Sequence, residues 1–194
     1  GDFLGELVTS AGDFNGDSFD DILISSRGES WGYVVFGSSD WSSGEFNLSK
    51  LDGKNGFKIK AEPDSYFGSF SSAGDFNGDG FDDIIVSKMG RSYIIFGKSN
   101  WTLSEINIWE SGNSDVQIFS DAVRRWNGLT DDQFGSAVSP AGDFNGDGVE
   151  DLIIGAPADD QNSNNSGAAY LVFGESKNTA PSITSQAVTE AVED

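Results

Sequence analysis

Three acidic loops hold most of the chemistry this sequence can offer: AGDFNGDSFDDILIS from Ala11, AGDFNGDGFDDIIVS from Ala73 and AGDFNGDGVEDLIIG from Ala141. Oxygen-bearing side chains stand on alternate residues of each, with a carboxylate four residues after the last. The first loop offers Asp13, Asn15, Asp17 and Asp21; the second Asp75, Asn77, Asp79 and Asp83; the third Asp143, Asn145, Asp147 and Asp151. Oxygens spaced this way in a tight turn can converge on one point, and a hard divalent cation takes six to eight of them at roughly 2.3–2.6 Å. Carboxylates crowded this closely repel one another unless a cation neutralises them. We therefore read three structural calcium ions, one per loop. The plainer alternative is a surface turn rich in Asp, Asn and Gly, residues that ordinarily punctuate strands.

The helical calcium hand is excluded by position. Its loop ends on a bidentate Glu at position twelve, where this chain has Ile24, Val86 and Ile154, inside the runs ILIS, IIVS and LIIG that predict buried strands. The last carboxylate comes at position nine instead, and the backbone carbonyl at position seven, from Phe19, Phe81 or Val149, is the fifth expected protein ligand. Position six asks for a positive φ. Gly80 and Gly148 supply it, whereas the first loop has Ser18, so the first site is expected to be the weakest.

The elements that must hold these loops repeat with them. Each loop runs into an apolar strand, then a link, then WGYVVFG, RSYIIFG or AAYLVFG, ending at Gly37, Gly97 and Gly174. An FG opening precedes the second and third loops at Phe67-Gly68 and Phe134-Gly135, weakened to Leu4-Gly5 in the first. GFKIKAE from Gly56 and DVQIFSDA from Asp115 alternate with a period of two and predict outer, half-exposed strands. The loops recur 62 and then 68 residues apart, room for four strands per unit.

The combination of FG, acidic loop, apolar strand and YxxFG resembles the FG-GAP repeat of integrin alpha-chain propellers and of many bacterial extracellular proteins. The resemblance implies an all-β fold: β-propeller blades of four antiparallel strands, three FG-GAP repeats, with the last blade one strand short. Blades are expected over residues 1–62, 63–122 and 123–174. Residues 175–194 resemble a linker and the start of an immunoglobulin- or cadherin-like module. It also implies that each calcium loop joins the first and second strands of its blade, on the face opposite most integrin ligand loops. Integrin-type propellers have seven blades and this sequence holds three, so the expected partners are the remaining blades of the same polypeptide or neighbouring copies, which would cover unpaired edges in an oligomer or filament.

Composition narrows the function. The chain has 194 residues, no Cys, no His and a net charge of −21, which three calcium ions would bring to −15. Nucleic acid is a poor partner for such a surface, as is an anionic membrane, and no apolar run is long enough for membrane insertion. Absent thiols and weak-affinity calcium loops point to an extracellular or cell-surface location. Without His or Cys the usual triads, thiol nucleophiles and zinc sites are excluded, so no enzyme is expected. The reading is a non-catalytic calcium-binding segment for adhesion or assembly, with a lectin-like carbohydrate-binding module or an accessory region of a secreted hydrolase as alternatives.

A few residues stand outside the repeat logic. Trp41 and Trp101 each follow an FG by four residues, which predicts packing, whereas Trp31, Trp109 and Trp126 have no counterparts. Trp126 after Arg124 and Arg125 suits a glycan or protein ligand, or equally a buttress between blades. The link ADDQNSNNSG from Ala158 reads as a solvated loop tip, and Asn47, Asn100 and Asn164 sit in N-glycosylation sequons.

Overall fold

The computed structural model describes residues 3–26, 30–40, 45–61, 67–88, 91–108, 116–120, 133–159 and 166–175. Trp41, Trp109, Trp126, Asn164, the tip of the third link and residues 176–194 lie outside that set.

The apolar runs after the loops form the second strand of each of three sheets. The first sheet is β1 (Leu4–Gly12), β2 (Asp21–Ser26), β3 (Trp31–Val35) and β4 (Gly56–Lys60) in antiparallel order. The second begins with β5 (Ser69–Gly74), β6 (Asp83–Lys88) and β7 (Arg91–Ile95). Between them in the chain and the next repeat come β8 (Glu105–Asn107) and β9 (Val116–Ser120); β9 completes the second sheet by pairing antiparallel with β7. The third sheet, among the described residues, is β10 (Ala137–Gly142), β11 (Asp151–Ala156) and β12 (Ala168–Val172). The fold is the expected all-β partial propeller of three blades.

Runs such as IIV replace alternation because the blades stack face to face. Ile84 and Val86 of β6 pack into one core with Leu23, Val34, Phe57 and Ile59 of the first blade. Ile85 and Ile94 turn the other way, into a second core with Leu152, Ile154 and Tyr170 of the third. Every residue of β6 is consequently buried, and its central Ile84–Val86, covered on both faces, shows no polar alternation.

One element was not expected. β8 lies in the stretch following the second YxxFG, yet it pairs in parallel with β4, giving the first sheet a fifth strand. Lys58 donates its N–H to the Ser104 carbonyl and Ile108 donates to that of Lys60, at 2.9 and 3.2 Å. Ile106 and Ile108 are buried in the first core. Trp101 follows the same path, stacking on Phe14 at 5.2 Å and on Phe57 at 4.6 Å, with the Lys98 ammonium over its ring. Packing was the expected role for Trp101. Trp31, without a repeat counterpart, begins β3 and lies beneath Lys58 and Lys60 of the adjoining β4.

Candidate metal loops at the blade junctions

Each acidic loop joins the first two strands of its blade, the place the resemblance implied. The first strand ends in a register shift before Gly12, Gly74 or Gly142, and an extra residue there bends the strand out of the sheet. The loop then folds on its own oxygens. At position one, Asp13, Asp75 and Asp143 each accept the backbone N–H of position six through Oδ2, at 2.8–3.0 Å. Asp17, Asp79 and Asp147 accept the N–H of Phe19, Phe81 and Val149 at 2.9–3.1 Å. Asn15 and Asn145 accept from Asp17 and Asp147. Position six takes the left-handed conformation in all three: φ is 71° at Ser18, 89° at Gly80 and 88° at Gly148. The first loop thus carries the strain its serine suggested.

Asp21, Asp83 and Asp151, at position nine, are fully buried. One oxygen of each accepts the N–H of the loop's second residue, Phe14, Phe76 or Phe144, at 2.8–3.1 Å. The other accepts the N–H of Gly37, Gly97 or Gly174 at 2.7–2.9 Å. Position nine therefore clamps the loop to the glycine that ends YxxFG. Sequence reasoning assigned these aspartates only to metal and missed the clamp, although the fixed pairing of acidic loop and FG in every repeat was its signal. Burial raises the Asp21 carboxyl to about 7 against backbone donation from Gly37, with Asp17 and Asp13 adding like charge. Burial likewise raises Asp83 to about 8, with the charges of Asp79 and Asp75 acting in the same direction.

The oxygens fit a hard cation. In the first loop Asp13 Oδ1, and in the second Asn77 Oδ1, are buried without a hydrogen-bond partner; such orphaned acceptors are rare and costly. Among the described residues no three or more acidic side chains are already gathered as a cage; the loops' carboxylates instead engage their own amides. Asp13, Asn15, Asp17, Asp75, Asn77, Asp79, Asp143, Asn145 and Asp147 occupy the turns, and the position-nine aspartates lie at their buried ends.

The loops also join blade to blade. The Asp13 N–H donates to Asp82 Oδ2 at 2.7 Å, and the Asp82 N–H returns to the Asp13 carbonyl at 3.3 Å. Lys98 donates to the Phe14 carbonyl and Glu175 to that of Phe76, both at 3.1 Å. Asp82 and Glu150, the acids at position eight, lie over Gly12 and Gly74 of the preceding blade, where a methyl group would collide with them. Sequence reasoning counted these acids as neighbours of the ligands and did not see them as contacts between blades.

A family model described as the FG-GAP repeat matches residues 7–39, 67–98 and 134–172. The chain belongs to the FG-GAP repeat family. It is 31% identical over 128 residues to integrin alpha-4 of Xenopus laevis, covering 62% of this chain and 11% of that protein. Against human integrin alpha-8 the identity is 28% over 189 residues, 96% of this chain and 16% of the integrin. The chain is also similar to a protein with an enzyme's name, phosphatidylinositol-glycan-specific phospholipase D of Dictyostelium discoideum, 35% identical over 146 residues, 64% of this chain and 15% of that protein. This chain spans less than a fifth of the length of each of these relatives. No helix of the described residues is long and apolar enough to cross a membrane.

Proposed function

We propose that this chain is a calcium-stabilised, non-catalytic FG-GAP propeller segment of a larger extracellular or cell-surface protein, serving adhesion or assembly. One ion sits in each loop, held by side-chain oxygens of positions one, three, five and nine and by the carbonyl of position seven. The observation that carries the reading is the pair of buried, unpartnered oxygens of Asp13 and Asn77, each inside an acidic loop. The ion supplies positive charge to carboxylates that burial otherwise drives toward protonation. The protein's residues do the mechanical part: they fix the loop and, through position nine, tie it to the end of the third strand. The integrin relatives support a role in adhesion, and the absence of His and Cys from the sequence supports a non-catalytic one.

The test is melting in millimolar calcium and in excess chelator, for the wild type and for Asp79→Ala combined with Asp147→Ala. Calcium at a hundred times its dissociation constant stabilises by about 2.7 kcal/mol per site. Wild type is expected to melt higher with calcium, and the double variant to fall toward the chelated value. Coincident melts for both proteins in both conditions would overturn the structural-metal reading.

A second reading, an accessory region of a secreted hydrolase, draws on the relative named as a phospholipase D. A catalytic domain encoded beside these blades in the parent gene would favour it.

A further inference from the structure

The first acidic loop is held at its opening residues by the second blade. Asp82 takes Asp13 by both backbone groups: Asp82 Oδ2 accepts the Asp13 N–H at 2.7 Å, and the Asp82 N–H donates to the Asp13 carbonyl at 3.3 Å. The Phe14 carbonyl accepts the Lys98 N–H at 3.1 Å. Further round the turn a methyl group on Gly16 would collide with the Phe81 ring. Asp13, the residue held most closely, has Oδ2 on the Ser18 N–H and Oδ1 buried with no hydrogen-bond partner.

The residues that make this grip belong to the second loop. Phe81 stands at position seven, where the carbonyl is an expected ligand, and Asp83 at position nine; Asp82 lies between them and reaches back to the first blade. Asp83 is already anchored on the N–H groups of Phe76 and Gly97. With the Phe81 carbonyl and the Asp83 carboxylate both committed to an ion, the backbone on either side of Asp82 is fixed.

We infer that Asp82 is a positioning residue of the first metal loop and that, through it, calcium in the second loop strengthens calcium binding in the first. The inference rests on the metal reading above and adds a coupling between two of its sites. A loop whose first residue is already placed loses less freedom when it binds. The loop that benefits is the one with left-handed Ser18. Repulsion between the two ions acts in the opposite sense, but exposed charges are screened beyond about 8 Å at physiological ionic strength. By linkage the first loop strengthens the second by the same factor.

Calcium titration calorimetry at about 0.15 M salt tests this with the third loop removed by Asp147→Ala. Adding Asp79→Ala leaves the first loop alone, and adding Asp17→Ala leaves the second alone. With both intact, the product of the two binding constants is expected to exceed the product of the single-loop values by about fivefold or more. Asp82→Ala should abolish that excess, whereas Asp82→Asn, which loses the charge and keeps an acceptor for the Asp13 N–H, should retain it. No excess overturns the inference, as does an Asp82→Asn chain that behaves like Asp82→Ala, because Asp82 then acts as a charge alone. Amide exchange needs no change at Asp82. In the chain carrying Asp17→Ala and Asp147→Ala, calcium should slow exchange at the Asp13 N–H more than within β11, and equal slowing in both places also overturns the coupling. Two loops that bind calcium independently remove the coupling and leave the metal reading; chains that bind none remove both.

Discussion

Asp21 and Asp83 put a sign on the pH dependence of the chelated protein. Their folded-state values, about 7 and about 8, lie above the ordinary 3.8 because burial disfavours their charged form. Between those limits the folded chain keeps protons that the unfolded chain has released, so stability falls as pH rises. In chelator the melting temperature is therefore expected to be highest near pH 4 and to decline through pH 7 and 8. Saturating calcium should flatten or reverse that slope, because a cation favours the ionised form. A parallel decline with and without calcium would refute the assignment. Ser18 gives a second expectation. Replacing it with Gly relieves a left-handed residue and should stabilise the protein by about 1 kcal/mol, whereas Gly80→Ala should cost about the same; denaturant melts of the two variants check the pair. The strain at Ser18 was legible in the sequence because it depends on a position within one loop. The clamp from Asp21 to Gly37 was not, because it exists only once the third strand ends beside the loop.

Strands β2, β6 and β11 could be read directly, since unbroken apolar runs bounded by acidic loops leave few other conformations. β8 escaped because three residues carry little periodicity and the partner that satisfies them belongs to another repeat. Its signal was the apolar alternation of Ile106 and Ile108 following Trp101 at a fixed distance from FG. Together these residues form a clasp from the second repeat back onto the first blade. Trp101 fills the space between Phe14 and Phe57, so Trp101→Ala should cost about 3–5 kcal/mol, the range for removing a large buried aromatic. The loss should be local as well as global: amide exchange at Lys58 and Ile108, whose N–H groups join β4 to the clasp, is expected to accelerate more than exchange within β6. Equal acceleration in both places would mean that the clasp has no separate existence.

At the scale of the molecule, the number of repeats and the order of the first three strands in each follow from repetition, but the junctions do not, because they are made by positions that look merely acidic or merely small within one repeat. Gly74 and Gly142 isolate the junction's contribution. Both have positive φ, 60° and 68°, so an alanine at either carries a similar backbone penalty of about 1 kcal/mol. They differ in what a methyl group would meet: at Gly74 the Glu150 Cγ lies 2.6 Å away, at Gly142 nothing within 4 Å. Overpacking of that kind typically adds about 1–3 kcal/mol. In dilute solution Gly74→Ala should therefore be the more destabilising substitution by about that margin in a denaturant melt. Equal losses for the two alanines would show that the Glu150 contact adds nothing at the junction.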